Sequence, residues 1–564
     1  MSVWTQQYDP LGDWRLSALV AAVPVVVLLG LLVSGRAQAW QAALAGLLSA
    51  WGLAVSVFGM PANMVAAAAG VGFVFALFRI VWLIVAAVFL YDIAVVTGQF
   101  EVMKASIARL SADRRIQAVL VAFSFGAFVE GAAGFGAPVA ISAAFLVGLG
   151  FRPFQAALLC LIANTAPVAW GALGTPIKTL GGVTALDVEL LSRTAGRILP
   201  PVSLIVPAWL VWVLAGWRAT WEIWPALLTI GGAFAAVQWA WSHYVGVDLV
   251  DIASSVGSLL AGMGLLAVWK PRRVWDFTES APSPVATNAA AASPGLRVVG
   301  PLSPRRVARA WMPFALLTTT VLIWGLPAVK KTLDQSTSWF PAMPGLHRMV
   351  VKGEPVTGRP VPSEADYEEA TLPIVPVSST GTAVFLAAIL SGLALGVPPG
   401  RLALLLAGTV RRLRPAMATI FAMLALGFVT RYAGMDAVLG LALTRTGPLL
   451  YPIFGTLLGW LGVALTGSDT ASNVLFGNLQ TITASKLGLS PILMASANST
   501  GGVMGKMVDA QSIVVAAAAT GEHGKEGPLL RAVLGHSIVL ALIVGAIVWV
   551  YAHVAPGLIP APAG

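Results

Sequence analysis

Charged side chains make up only 10% of the 564 residues, against about a quarter in an ordinary soluble protein. The hydrophobic fraction is 58% and the mean hydropathy +0.85. Two or three soluble cores cannot hide that much apolar surface. A soluble enzyme, a disordered chain and a nucleic-acid binder are thereby excluded. Cysteine is nearly absent: Cys160 stands alone in an apolar stretch, which leaves no intramolecular disulfide, Cys-based zinc site or iron–sulfur cluster. The histidines (His243, His347, His523, His536 and His553) fall in loops or at the ends of apolar runs, without H-E-x-x-H or other ligand spacing. No P-loop or G-x-S-x-G elbow occurs in a credible context. No metal or cofactor is expected, and the chain reads as an all-α polytopic membrane protein.

What is abundant is long apolar runs. A helix needs about 20 mostly apolar residues to cross roughly 30 Å of hydrocarbon. Such runs lie near 16–33, 38–58, 62–96, 154–180, 194–215, 221–241, 248–268, 305–326, 379–396, 416–430, 491–518 and 531–552, giving about twelve transmembrane helices. They are too long and too solidly apolar for barrel strands. The third run exceeds one straight crossing, so part of 62–70 is expected at the interface. Ala37-Gln38-Ala39 resembles a signal cleavage site, but Asp9 and Asp13 outnumber Arg15 ahead of it, which fits a retained span.

Two polar stretches interrupt these runs. Residues 270–309 carry Lys270, Arg272, Arg273, Arg297, Arg305, Arg306 and Arg309 against Asp276 and Glu279, with an Ala/Pro/Ser-rich middle that reads as a linker, bounded at 270–304. Residues 328–378 are balanced, with Glu364, Asp366, Glu368 and Glu369. The positive-inside rule puts the first in the cytoplasm and the second outside. Arg36, Lys104, Arg109, Arg114, Arg115, Arg218, Arg401, Arg411, Arg412 and Arg414 then also face the cytoplasm. Much of the net charge of +10 is a topology signal.

Two regions are too broken to count as spans. Residues 116–150 surround Glu130, Gly134, Gly136 and Pro138; residues 449–487 surround Ser468, Asp469, Thr470 and Asn473. Arms of about 14–18 residues suit re-entrant hairpins better than crossings, one entering from each side. The runs that follow also match: Asn164-Thr165 precedes Gly171, and Asn498-Ser499-Thr500 precedes Gly505. The order of features predicts an inverted repeat: a first unit over 1–215, two connecting spans over 216–269, and a second unit over 305–564.

Hairpin tips and helix breaks free backbone N–H and C=O groups, tolerated at membrane depth only inside protein or along a cavity. Half-helix N-termini carry partial positive charge. Gly134 and Gly136 permit close approach, Pro138 suits a first helical turn, and Thr165, Ser468 or Asp469 could cap restarted helices. The alternative is that the glycines serve helix packing alone. Charge inside the membrane costs about 2.5–3.5 kcal/mol per residue at a helix centre, so Glu130 and Asp469 are candidate proton-accepting carboxylates; local capping is the competing reading. Lys506, roughly 12 Å of helix rise from either end of its run, is expected to pair with Asp469, Asp509 or an anionic substrate. Arg79, Asp92 and Lys178 lie nearer their span ends, where snorkelling suffices. With no enzyme motif, these features imply a secondary transporter, its candidate substrate contacts being Gly134, Gly136, Asn164, Thr165, Ser468, Thr470, Asn473, Asn498, Thr500, Lys506 and Gln511.

The motif stretches are 4–10 (WTQQYDP), 130–141 (EGAAGFGAPVAI), 164–177 (NTAPVAWGALGTPI), 465–473 (LTGSDTASN) and 498–513 (NSTGGVMGKMVDAQSI). Together they resemble the lactate permease family of bacterial secondary transporters over nearly the whole chain, except 275–300 and 341–375. The resemblance implies import of L-lactate, and often D-lactate and glycolate, with protons across the inner membrane. Its wider superfamily implies an inverted-repeat fold with elevator-type movement. One departure stands out: the family usually has Ser-Pro before Gln-Ser, where this chain has Asp509-Ala510, so the second break is expected to soften. A sodium- or proton-coupled dicarboxylate carrier and a channel or membrane enzyme are the alternatives. The first would be expected to need more cationic anchors.

Overall fold

The computed structural model describes residues 3–33, 37–132, 134, 137–277, 302–354, 356–357, 364–522 and 525–560. These form an almost wholly helical protein. The first part of the chain runs α1 (Trp14–Val33), α2 (Ala39–Ser56), α3 (Ala62–Val96), α4 (Gln99–Ala108), α5 (Arg114–Ala132), α6 (Ala137–Gly148), α7 (Pro153–Ala163) and α8 (Gly171–Thr184). Then come α9 (Val188–Ile198), α10 (Pro200–Glu222), α11 (Trp224–Tyr244) and α12 (Val250–Val268). The second part runs α13 (Pro304–Gly325), α14 (Pro327–Thr337), α15 (Thr380–Ala394), α16 (Pro399–Ala433), α17 (Met435–Leu443), α18 (Gly447–Thr466), α19 (Asp469–Leu487), α20 (Pro491–Gly505), α21 (Ala510–Thr520) and α22 (Glu526–His553). Two short parallel strands, β1 (Trp4–Thr5) and β2 (Val350–Val351), tie the N-terminus to the 328–378 segment. Gln6 reinforces this clasp by donating to the carbonyls of Arg431 and Tyr432.

Eight helices among the described residues are long and apolar enough to cross a bilayer, or nine if α7 and α8, bent by 67°, form one broken span. Several runs read from the sequence are realised as shorter apolar helices instead, α1, α2 and α15 among them. The run at 62–96 is continuous. It is one 35-residue helix, widened into a π-helical turn at Ala76–Val81. The run at 416–430 belongs to a second 35-residue helix, α16, which absorbs Arg411, Arg412 and Arg414 into its continuous ladder. At 1.5 Å per residue each spans about 52 Å, so both tilt or protrude. They cross where Gly72 meets the Leu424 carbonyl; a Cβ there would come within 2.6 Å of that oxygen.

The same sequence of elements occurs twice. A 35-residue helix ends at a left-handed glycine, Gly98 (φ 73°) or Gly434 (φ 79°), and a short helix follows. Next comes a helix pair turned at left-handed Gly134 or Gly467, then left-handed Gly150 or Gly488, then a helix opened by Pro153 or Pro491. Glycine is favoured at each turn because side-chain Cβ atoms crowd the left-handed region. The arms of the two helix pairs have 19 and 12 residues (α5, α6) and 20 and 19 residues (α18, α19), mostly longer than the arms expected for the hairpins. The two units exchange contacts: α8 packs on α19, and α21 packs on α6. Most of the 270–304 linker, like Gly136, lies outside the described residues.

Candidate functional site

Each helix pair ends with a buried carboxylate at its turn. Glu130 lies in the last turn of α5 and Asp469 opens α19; they are 5% and 3% exposed. Each carboxyl is pressed against a glycine of the broken span in its own unit. A Cβ on Gly171 would come 2.5 Å from Glu130 Oε1, and one on Gly502 would come 2.4 Å from Asp469 Oδ1. Glu130 Oε2 and Asp469 Oδ1 have no hydrogen-bond partner.

The surroundings of the two acids differ. Asp469 Oδ2 accepts from Ser499 Oγ at 2.5 Å, while Ser468, not Asp469, caps α19 by accepting from the Ala471 N–H at 3.3 Å. Asn473 donates to the Pro176 carbonyl at 3.2 Å, and Asn498 Nδ2 donates to Asn473 Oδ1 at 3.0 Å. Gln480 Nε2 donates to Asn498 Oδ1 and to the Gly455 carbonyl. Thr500 is buried and donates only a long contact to the Ala497 carbonyl. Around Glu130, by contrast, Asn164 faces the carboxyl but makes no hydrogen bond of good geometry. Thr165 does not cap a restarted helix; its hydroxyl turns back to the Ile162 carbonyl at 2.7 Å.

The two breaks also differ. In the first, α7 ends before Asn164, a 3-10 turn covers Val168–Trp170, and residues 172–174 are all left-handed. Left-handed non-glycine residues such as Ala172 and Leu173 cost on the order of 1–3 kcal/mol each, so the surrounding packing must hold them there. In the second, the helix runs unbroken through Asn498, Ser499 and Thr500 to Gly505. The interruption comes eight residues later than Asn498, at 506–509. Lys506 closes α20, donates to the Gly467 carbonyl at 2.6 Å and pairs with Asp509 Oδ2 at 3.3 Å. Lys506 is also the charge that bears on both Glu130 and Asp469.

A cavity of about 390 Å³ opens beside the second turn, lined by Gln38, Thr175, Arg412, Thr466, Ser468 and Thr470 among apolar groups from α1, α3 and α16. Arg412 reaches it while donating to both Asp92 oxygens, at 2.6 and 2.8 Å. A membrane helix protein with strained half-helices, buried carboxylates and a small, largely apolar cavity bearing a few polar groups is a carrier in outline. A family model described as L-lactate permease matches residues 17–555. The chain belongs to the L-lactate permease family. The glycolate permease of Escherichia coli K12 is 43% identical over 99% of this chain and 100% of its own length. The L-lactate permeases of Bacillus subtilis 168 and Escherichia coli K12 are 41% and 40% identical with the same coverage. This member of the family is a multi-pass transporter of the bacterial plasma membrane and not an enzyme.

Asp509, where the sequence departs from the motif expected of the family, has well-defined contacts. Its Oδ1 accepts the Ser512 N–H at 2.7 Å at the start of α21, as an N-cap does, while Oδ2 faces Lys506. Of the candidate residues, only Ser468 and Thr470 line the cavity; Asn473, Asn498 and Lys506 are tied into the buried network, and the side chain of Gln511 lies outside the described residues. Asp92 and Lys178 are not snorkelling: Asp92 is 7% exposed and held by Arg412 and Thr409, and Lys178 pairs with Asp248. The sequence does not single out Thr175, Thr466 or Asp251 as site residues, and it reads Arg412 as a cytoplasm-facing charge. For Asp251, the available signal was an acid inside the first turn of an apolar run.

Proposed function

We propose that this permease imports a 2-hydroxy monocarboxylate, lactate or glycolate, together with protons across the plasma membrane by alternating access. The observation carrying this reading is the pair of buried carboxylates at matching turns, Glu130 and Asp469, each with an oxygen left without a partner. A buried unpaired acceptor costs about 1–3 kcal/mol, more if charged, and a proton relieves it. Substrate enters the 390 Å³ cavity, where its carboxylate meets the N-terminal end of α19 at Ser468 and Thr470 and the Arg412 guanidinium. Thr175 and Thr466 are at hand for the hydroxyl. Lys506 serves as the shared countercharge of both acids. By the positive-inside reading, Gln38 and Trp40 mark the cytoplasmic mouth of this cavity, and the two units stand inverted around it. Protonation of an acid when substrate binds brings the loaded carrier close to neutral, so that it moves without a charged desolvation penalty.

The test is uptake of labelled lactate and glycolate into proteoliposomes under an imposed pH gradient. Uptake should follow the gradient and fall in Glu130→Gln and Asp469→Asn. Unchanged uptake in both variants without dependence on the gradient would sink the proton assignment. Counterflow with succinate tests the dicarboxylate reading, which a cavity lined by one cation, Arg412, does not favour.

A further inference from the structure

Asp251 lies in the first turn of α12. It is 1% exposed, and neither carboxyl oxygen has a hydrogen-bond partner. It sits directly against the residue that follows Glu130: a Cβ on Gly131 would come 2.8 Å from Asp251 Cβ. The charge that bears on it is Glu130. The other elements packed on α12 supply no free cation. On α8, Lys178 is taken by Asp248. On α11, His243 is engaged by Arg197 and the Trp239 carbonyl. On α5, Arg114 is bonded to Asp276, Gln117 and the Leu149 carbonyl, and Arg115 is held by Asp113 and Glu222. Lys506, which faces Glu130, is shared with Asp509.

Two neighbouring carboxylates whose one facing cation, Lys506, is already paired with Asp509, in a medium that penalises each charge, cannot both stay ionised. We propose that Asp251 and Glu130 form one proton-holding pair, in which Asp251 is the second carboxyl that receives and returns the Glu130 proton. The step is a transfer of one proton from the acid O–H of one residue to the carboxylate oxygen of the other; one proton and one negative charge are held throughout. Gly131, which has no Cβ to meet Asp251 Cβ and Ile252, lets α12 pack this closely beside the Glu130 turn. This inference deepens the proposed function and rests on Glu130 carrying a proton.

The experiment uses the full-length protein in two arms. First, lactate is added to purified wild-type protein with a pH-indicator dye. Absence of substrate-dependent proton uptake removes the proton reading itself, and the pair with it. Second, uptake into proteoliposomes is measured across pH for wild type, Asp251→Asn and Asp251→Glu. Removing the like charge should move the midpoint of the profile toward lower pH by on the order of one unit, and Asp251→Glu should restore it. An Asp251→Asn profile that superimposes on wild type after scaling, with wild-type proton uptake intact, overturns the pair while leaving the proposed function standing. Should Asp251→Asn fail to fold, Gly131→Ala, whose methyl wedges against Asp251, should give a displaced profile; an unmoved one refutes the pairing.

Discussion

Removing Lys506 should destabilise this protein severely, and removing Asp509 as well should restore most of the loss. Lys506 Nζ lies 3.3 Å from Asp509 Oδ2, with side chains 7% and 0% exposed. At an effective dielectric of 20, two unit charges at that separation attract by about 5 kcal/mol. Deleting one partner of such a buried pair costs about 3–5 kcal/mol, because the other is left uncompensated. Lys506→Met and Asp509→Asn should each incur a loss of that order. In the double variant neither member of the pair is left as an orphaned charge. The amide introduced by Asp509→Asn retains an oxygen for the Ser512 N–H, and the remaining deficit is the Gly467 carbonyl deprived of its donor, about 1–3 kcal/mol. Thermal unfolding of the detergent-purified proteins should therefore rank wild type first, the double variant second and both single variants last. A double variant that unfolds below both singles, as independent losses would require, refutes the pairing. It would return Lys506 to the role of a free substrate anchor.

Ala at Gly171 or Gly502 would bring a methyl within 2.5 or 2.4 Å of a carboxylate oxygen; uptake should fall by roughly tenfold or more, while Gly52→Ala, with open space around it, should match wild type in the same assay. Arg412→Gln should raise the KM for lactate by roughly tenfold to a hundredfold, the worth of one charge-assisted hydrogen bond, and an unchanged KM would place substrate elsewhere. In the extramembrane segment, burial pushes the Glu368 carboxyl up, but Arg431 at 2.9 Å and Lys352 at 3.0 Å outweigh it and hold the group below its ordinary value. Its stabilising contribution is thus complete above pH 4.5 and lost as pH falls through the lowered value. Limited proteolysis of the clasp around β1 and β2 should accelerate only in that acid range, and Glu368→Gln should show the same sensitivity at neutral pH.

The helical membrane class, the two matching turns and the first break were legible from the sequence because they are composition and backbone signals. Long apolar runs, glycines able to turn left-handed, and prolines opening helices act locally. The second break was misplaced because Asn498-Ser499-Thr500 looks like Asn164-Thr165-Ala166, yet Asn498 finds Asn473 and Gln480 as partners and stays helical. Asn164 has no such partners, and Pro167 follows it. Arg412 reads from the sequence as a cytoplasm-facing charge, since charge in an apolar chain ordinarily marks a boundary. Only the fold reveals Asp92 opposite it. Asp251 was hidden for a related reason: nothing in its own run points to Glu130, which lies 121 residues earlier in the numbering.

The Asp92–Arg412 contact joins residues 320 positions apart, and that separation has a price in time during biosynthesis. At about 5–20 residues per second, roughly 15–60 s elapse between polymerisation of the acid and of its cation. Throughout that interval the nascent α3 holds an acid whose mature partner does not exist, on a helix already delivered to the bilayer. Chains stalled before residue 412 therefore expose an intramembrane mark of incompleteness that finished chains lack.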